Sequence, residues 1–178
     1  MTDTYSPIPE LNSLNELQDE LGFENYAEGF GLTAYGDTWG LRSGWSKDPQ
    51  FLNRLIPFGQ ANGSGSFYAL WRIDDRQVLA TLPVVVFGDE GGQHVVAQGL
   101  SELLQLLGYD CEISVEWDSA YFFKTEDQEP SEAHEEYVTW LSKTFHLAPA
   151  YDPMSIIAEA QAEFGEQFAA WLEPFLSD

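Results

Sequence analysis

A chain of 178 residues, 44% hydrophobic and 15% aromatic, can bury one sizeable core, so global disorder and a coiled coil are both excluded. Its 30 acids outnumber 7 bases to give a formal net charge of -23, which repels phosphate backbones and argues against direct nucleic-acid binding. Residues 77–178 hold 19 of those acids and only 2 of the bases, so the later part of the chain is the acidic one and its natural partner is basic.

In chain order, Leu11, Leu14, Leu17 and Leu21 recur at helical spacing, with Ser13 and Glu16 placed as a capping box and Gly22 as the stop. Residues 23–45 are rich in Gly and aromatics (Tyr26, Phe30, Tyr35, Trp39, Trp45) without a sustained period. Their rings are either core material in an irregular segment or an exposed binding surface, and the usual burial of large apolar groups favours the core. Asp48-Pro49 opens a short segment carrying Phe51, Leu52 and Leu55 that is expected to end at Pro57.

Short β-prone runs follow. Asn62-Gly63-Ser64-Gly65 reads as a turn, 67–73 as a strand, Asp74-Asp75 as a hairpin turn and 77–79 as the return strand. Residues 83–87 read as a more buried strand, 88–92 as a glycine turn and 94–97 as a further strand. Leu100, Leu103, Leu104 and Leu107 then predict a helix closed by Gly108, with one more strand over 112–117. Ser131 is placed to cap a helix over 131–146 with Glu132, Glu135 and Glu136 in its first turn and Ala133, Tyr137, Trp140, Leu141 and Phe145 as its apolar stripe. Asp152-Pro153 starts a last helix over 153–173, with Ile157, Phe164, Phe168, Trp171 and Phe175 on one face and Glu159, Glu163, Glu166 and Glu173 elsewhere. Strands first and helices afterwards predict an α+β fold over 1–178, a single domain whose mixed or mainly antiparallel sheet is flanked by N- and C-terminal helices.

The order Ile56-Pro57-Phe58-Gly59, Gly63-Ser64-Gly65-Ser66 and Tyr68-Ala69-Leu70-Trp71 resembles the SUKH superfamily, which takes in the Knr-type cell-wall-assembly regulators. Leu82-Pro83-Val84-Val85-Val86, Val95-Val96-Ala97 and Gly99-Leu100-Ser101-Glu102-Leu103-Leu104 resemble the later family strand, its short Val-Ala segment and a helix of S-x-x-E-F-L type. The likeness is densest over residues 55–108, and the pairs Trp140-Leu141 and Trp171-Leu172 are similar to landmarks of the C-terminal helices in bacterial members. Residues 23–45 carry no family motif. The resemblance implies an α+β fold with no catalytic triad or cofactor. It also implies, for many bacterial members, an immunity protein that neutralises a cognate toxin, often a nuclease or deaminase.

The residues add little catalytic chemistry of their own. Gly59, Gly63 and Gly65 match neither a phosphate-binding loop nor a dinucleotide fingerprint, and a turn before a strand is the favoured reading. His134-Glu135-Glu136 lacks the second His of a zincin, with Val138 in its place, and residues 126–130 lack the glycine of an EF-hand, so no metal or cofactor is expected. Cys111 between Asp110 and Glu112 is disfavoured as a thiolate nucleophile, and no G-x-S-x-G elbow occurs. Among 30 acids, close carboxylate pairs arise by chance and point to no hydrolase.

The acidic surface remains, read either as solvation or as a docking face. In the second reading Asp74, Asp75, Asp89, Glu90, Glu126, Asp127, Glu129, Glu132, Glu135 and Glu136 face a basic protein, speed its encounter and occlude the site where it holds nucleic acid. Trp39, Trp45, Tyr121 and Phe122 are possible apolar anchors, although the core claims each of them first. A lone cysteine and an N-terminus without a basic start and apolar run lead to the expectation of a cytoplasmic protein. The apolar run at 82–87 falls far short of the roughly 20 residues that span a bilayer, so no membrane role is expected. The expectation is a non-enzymatic immunity protein for a basic toxin domain. The alternatives are a regulatory or scaffold module of the same fold and, more remotely, a small-molecule enzyme.

Overall fold

The computed structural model describes residues 4–176. Five strands, β1 (Gly31–Leu32), β2 (Leu55–Gln60), β3 (Phe67–Trp71), β4 (Val84–Phe87) and β5 (Gln93–Ala97), form an antiparallel sheet in sequence order. Helices α1 (Pro9–Leu21), α2 (Trp39–Gly44) and α3 (Pro49–Leu52) precede or interrupt it; α4 (Leu100–Leu107), α5 (His134–Phe145) and α6 (Pro153–Leu176) follow. A two-stranded ribbon, β6 (Ile113–Val115) with β7 (Ala120–Phe122), stands between α4 and α5. This is the α+β architecture expected, with helices at both ends of an antiparallel sheet.

Strand alternation explains the layering, because successive side chains leave a strand on opposite faces. Tyr68, Leu70, Val84 and Val86 join one core with α1, α4 and Tyr137 and Leu141 of α5. Ala69, Trp71, Val85 and Phe87 join a second core with Phe51, Leu41 and Ala160, Phe168 and Leu172 of α6. Both faces of the sheet are therefore covered, and α6 packs closely along β5, one of the two outer strands.

Local differences from the periodicity have identifiable causes. Ser13 lies inside α1, not at its cap; the helix starts with Pro9 at its first position, and Ser6 ahead of it exchanges hydrogen bonds with Asn12 in its first turn. Leu55 starts a strand that continues through Pro57, whose missing N–H is harmless because its neighbour on that side, β1, pairs only with Gly59 and Gln60. Residues 77–79 form no return strand. Arg76 clamps Asp74 at 2.7 Å and the carbonyl of Thr81 at 2.8 Å, folding 74–82 into a loop with one 3-10 turn at Leu79–Thr81, and β4 supplies the return.

At the other end of the chain, α5 begins at His134, later than expected, because the Ser131 hydroxyl bonds Asp110 and caps nothing; Glu132 thus precedes the helix. The last helix runs past Pro174 to Leu176, since Phe175 packs on Phe51 and Trp171 at centroid distances of 5.4 and 5.2 Å and anchors the final turn. Among the described residues no helix is long and apolar enough to cross a membrane.

Candidate functional site: an acidic loop and an aromatic groove

The ten acids singled out in the sequence occupy three places. Asp74 and Asp75 lie in the loop after β3, and each meets a guanidinium: Asp74 with Arg76 at 2.7 Å and Asp75 with Arg54 at 3.2 Å. The hydrogen bonds from Arg76 lower the Asp74 carboxyl from its usual 3.8 to about 2. Arg54 and Arg72 also line a cleft of about 800 Å³ with Trp171 and Phe175, and among the described residues no His, Cys, Ser or Thr borders it.

Asp89 and Glu90 occupy the turn between β4 and β5. Asp89 accepts from the hydroxyls of Ser64 and Ser66 at 3.0 and 2.9 Å, which ties this turn to the Gly-Ser turn before β3. Buried Asn62 completes the knot: its amide donates to the Ile113 carbonyl, while its oxygen accepts from the backbone N–H groups of Ser64 and Ser66. Donors that could have cradled a phosphate are thus already bonded, beside the carboxylates of Asp89 and Glu112.

The remaining six, Glu126, Asp127, Glu129, Glu132, Glu135 and Glu136, fall in one passage from the loop after β7 into the first turn of α5. All are exposed, and among the described residues none makes an ion pair or a side-chain hydrogen bond. What holds so charged a passage against the body is Asp110, only 2% exposed. Its Oδ1 accepts from the Glu28 N–H at 2.9 Å and the Ser131 hydroxyl at 2.6 Å, and its Oδ2 accepts from the Ser131 N–H at 2.7 Å. Gln128 donates to the Asp110 carbonyl at 2.8 Å, and the Ala133 N–H reaches the Asn25 carbonyl at 2.8 Å.

The backbone of Asp110 sits at φ 57, a left-handed conformation that Asp tolerates better than most residues, just after α4 ends at Gly108. The sequence showed Asp110 only as a neighbour of Cys111; nothing local distinguishes a carboxylate whose donors lie 82 and 21 positions away. Cys111 itself is buried, and burial pushes its thiol up, with the two flanking acids adding to that against Lys124.

The aromatic residues divide differently from expectation. Tyr26 and Phe30 are core, and Trp45 is half-buried, edge-on to Phe87 at 5.0 Å and to Phe67 at 5.8 Å. Tyr121 and Phe122 are half-buried on the ribbon. Trp39, which the core was expected to claim, is 68% exposed at the start of α2. Trp117, read in the sequence only as the end of a strand, is 79% exposed in the turn between β6 and β7.

Both tryptophans line one groove of about 720 Å³ whose other walls include Gly40, Gly44, Trp45, Phe67 and Asp89. The ribbon turn that carries Trp117 is docked by backbone contacts. His94 Nε2 donates to the Glu116 carbonyl at 2.8 Å, and Gly92, at φ 93, lies so near that carbonyl that a Cβ there would sit 2.2 Å from the oxygen.

Among the described residues no group of three or more His, Cys, Asp or Glu side chains could hold a metal ion. In comparisons with models of protein families, with curated proteins and with solved structures, nothing matches this chain.

Proposed function

We propose that the chain is a non-enzymatic binding protein that holds a basic partner through its exposed acidic surface, in the manner of a SUKH immunity protein neutralising a nuclease or deaminase toxin in the cytoplasm. One observation carries this reading: six carboxylates between Glu126 and Glu136 stand exposed and, among the described residues, make no ion pair, on a passage pinned to the core by buried Asp110. Unpaired like charges repel one another, so their concentration costs the free protein stability that a basic partner would restore. Long-range attraction from a body of net charge -23 also accelerates encounter with such a partner and competes directly with nucleic acid for it. The resemblance of residues 55–108 to the SUKH motifs supplies the immunity half of the reading.

The test is affinity capture from the native organism at low and then moderate salt, followed by an activity assay of whatever is held. Recovery of a basic toxin domain that binds more weakly as salt rises, and whose activity the purified protein abolishes, is the expected result. A regulatory or metabolic partner with no neighbouring toxin would move the reading to a scaffold module. A cognate toxin left unbound and fully active would end the immunity reading.

A further inference from the structure

Three hollows share Trp117 and Gln93 in their walls. The first is the groove between Trp39 and Trp117; the second, about 660 Å³, continues from Trp117 along α6 past Leu172 and Glu173; the third, about 500 Å³, passes the other side of Trp117 to Asp118 and Glu166. Among the described residues their walls contain four carboxylates, Asp89, Asp118, Glu166 and Glu173, and no Lys or Arg. An exposed indole face carries partial negative charge, and here two of them stand in a surface already negative.

From this pairing of aromatic walls with carboxylates we propose that the Trp39–Trp117 groove receives an arginine side chain of the basic partner. The inference rests on the basic-partner reading above and adds to it the place and the side chain. Arginine fits better than lysine because its planar, weakly hydrated guanidinium stacks on indole while its N–H groups still reach a carboxylate. Asp89 is the carboxylate lining the same groove, and its position is set by Ser64 and Ser66 before any partner arrives. Trp117 is likewise held by its turn, with the Glu116 N–H on the Ser119 carbonyl at 2.8 Å and His94 on the Glu116 carbonyl. The Asp89 carboxylate and the backbone that carries Trp117 are thus fixed before binding, which lowers the ordering cost. The acidic passage from Glu126 to Glu136 then acts at long range, and the groove supplies the short-range anchor.

The experiment uses the full chain and a synthetic arginine-glycine repeat peptide, with its citrulline-glycine counterpart as the neutral isostere and a lysine-glycine peptide as the second cation. Indole and backbone N–H signals are followed by NMR at physiological ionic strength, and affinities are measured by calorimetry. The arginine peptide is expected to shift Trp39 and Trp117 but not buried Trp71, and to bind more tightly than the lysine peptide; the citrulline peptide is expected to do neither.

Trp39→Ala and Trp117→Ala should each weaken binding about tenfold without moving the thermal midpoint, since both rings are exposed. Gly44→Leu is the second kind of variant: a Cβ there meets nothing within 4 Å, so the groove wall has room for a side chain to start, and the added bulk should weaken binding as well. Should the arginine peptide bind all three variants as tightly as the parent, with shifts confined to 126–136, the groove assignment falls while the basic-partner reading stands. Binding of the arginine peptide no tighter than that of its citrulline counterpart anywhere on the surface overturns both.

Discussion

Asp74-Asp75 and the passage from Glu126 to Glu136 look alike in the sequence, as runs of acids in turn-forming surroundings, and the fold treats them in opposite ways. Asp74 and Asp75 are each held by an arginine, Arg76 and Arg54, in the part of the chain that contains five of the seven bases. Among the described residues the later acids make no ion pair; their backbone is instead fastened through the buried carboxylate of Asp110. A neutralised acid serves the local loop, whereas an unpaired one contributes its full charge to the surrounding field. Local sequence does not distinguish the two, and the position of distant arginines does.

The sharpest way to break this contrast is to remove the fastening. Asp110→Ala leaves the N–H groups of Glu28 and Ser131 without their acceptor, at an expected cost of about 3 kcal/mol in urea unfolding. Hydrogen exchange should show the loss of protection concentrated in residues 123–133, and an even loss over the whole chain would contradict the pinning role. Asp110→Asn keeps one acceptor oxygen and should cost roughly half as much.

Removing the charges themselves should do the reverse. Replacing Glu126, Glu129 and Glu132 by Gln relieves repulsion without breaking a bond, so stability should stay unchanged or rise by about 0.5 kcal/mol. The parent's thermal midpoint should rise with added NaCl, as salt screens the self-repulsion of a -23 chain, and the triple variant should show a smaller rise. An equal rise in both would assign the repulsion to the remaining acids.

The smallest effect is expected at Asp74. Its carboxyl is depressed in the folded state, so the stabilisation is complete above about pH 4 and disappears as pH falls through about 2. NMR titration should place it near that value in the parent and back toward 3.8 in Arg76→Gln, with little movement of the unfolding midpoint at neutral pH because the pair is exposed.

Much of the frame was legible from periodicity. The leucines of α1 and α4, the β-branched run of β4 and the long apolar face of α6 each carry their own structure within a few turns. The elements that were missed or misplaced are those with little local content: β1 has two residues and exists because β2 is beside it, and the ribbon partner β7 has three. The expected return strand at 77–79 gave way to a side-chain clamp between Arg76, Asp74 and Thr81. Of the candidate site, the acidic passage was legible because charge is additive along a chain. The groove was not, since an exposed tryptophan and a core tryptophan are the same letter.

Charge density, the helix-and-strand order and the absence of familiar catalytic motifs follow from residue types and their spacing, which act over a few positions. Which carboxylates stay unpaired, that Asp110 is buried, and that Trp39 and Trp117 share one groove while Trp71 is covered by Phe168 depend on contacts between segments far apart in the chain. Those contacts form only when two covered faces of a sheet bring the segments together, because burial and pairing are properties of the neighbours a side chain meets.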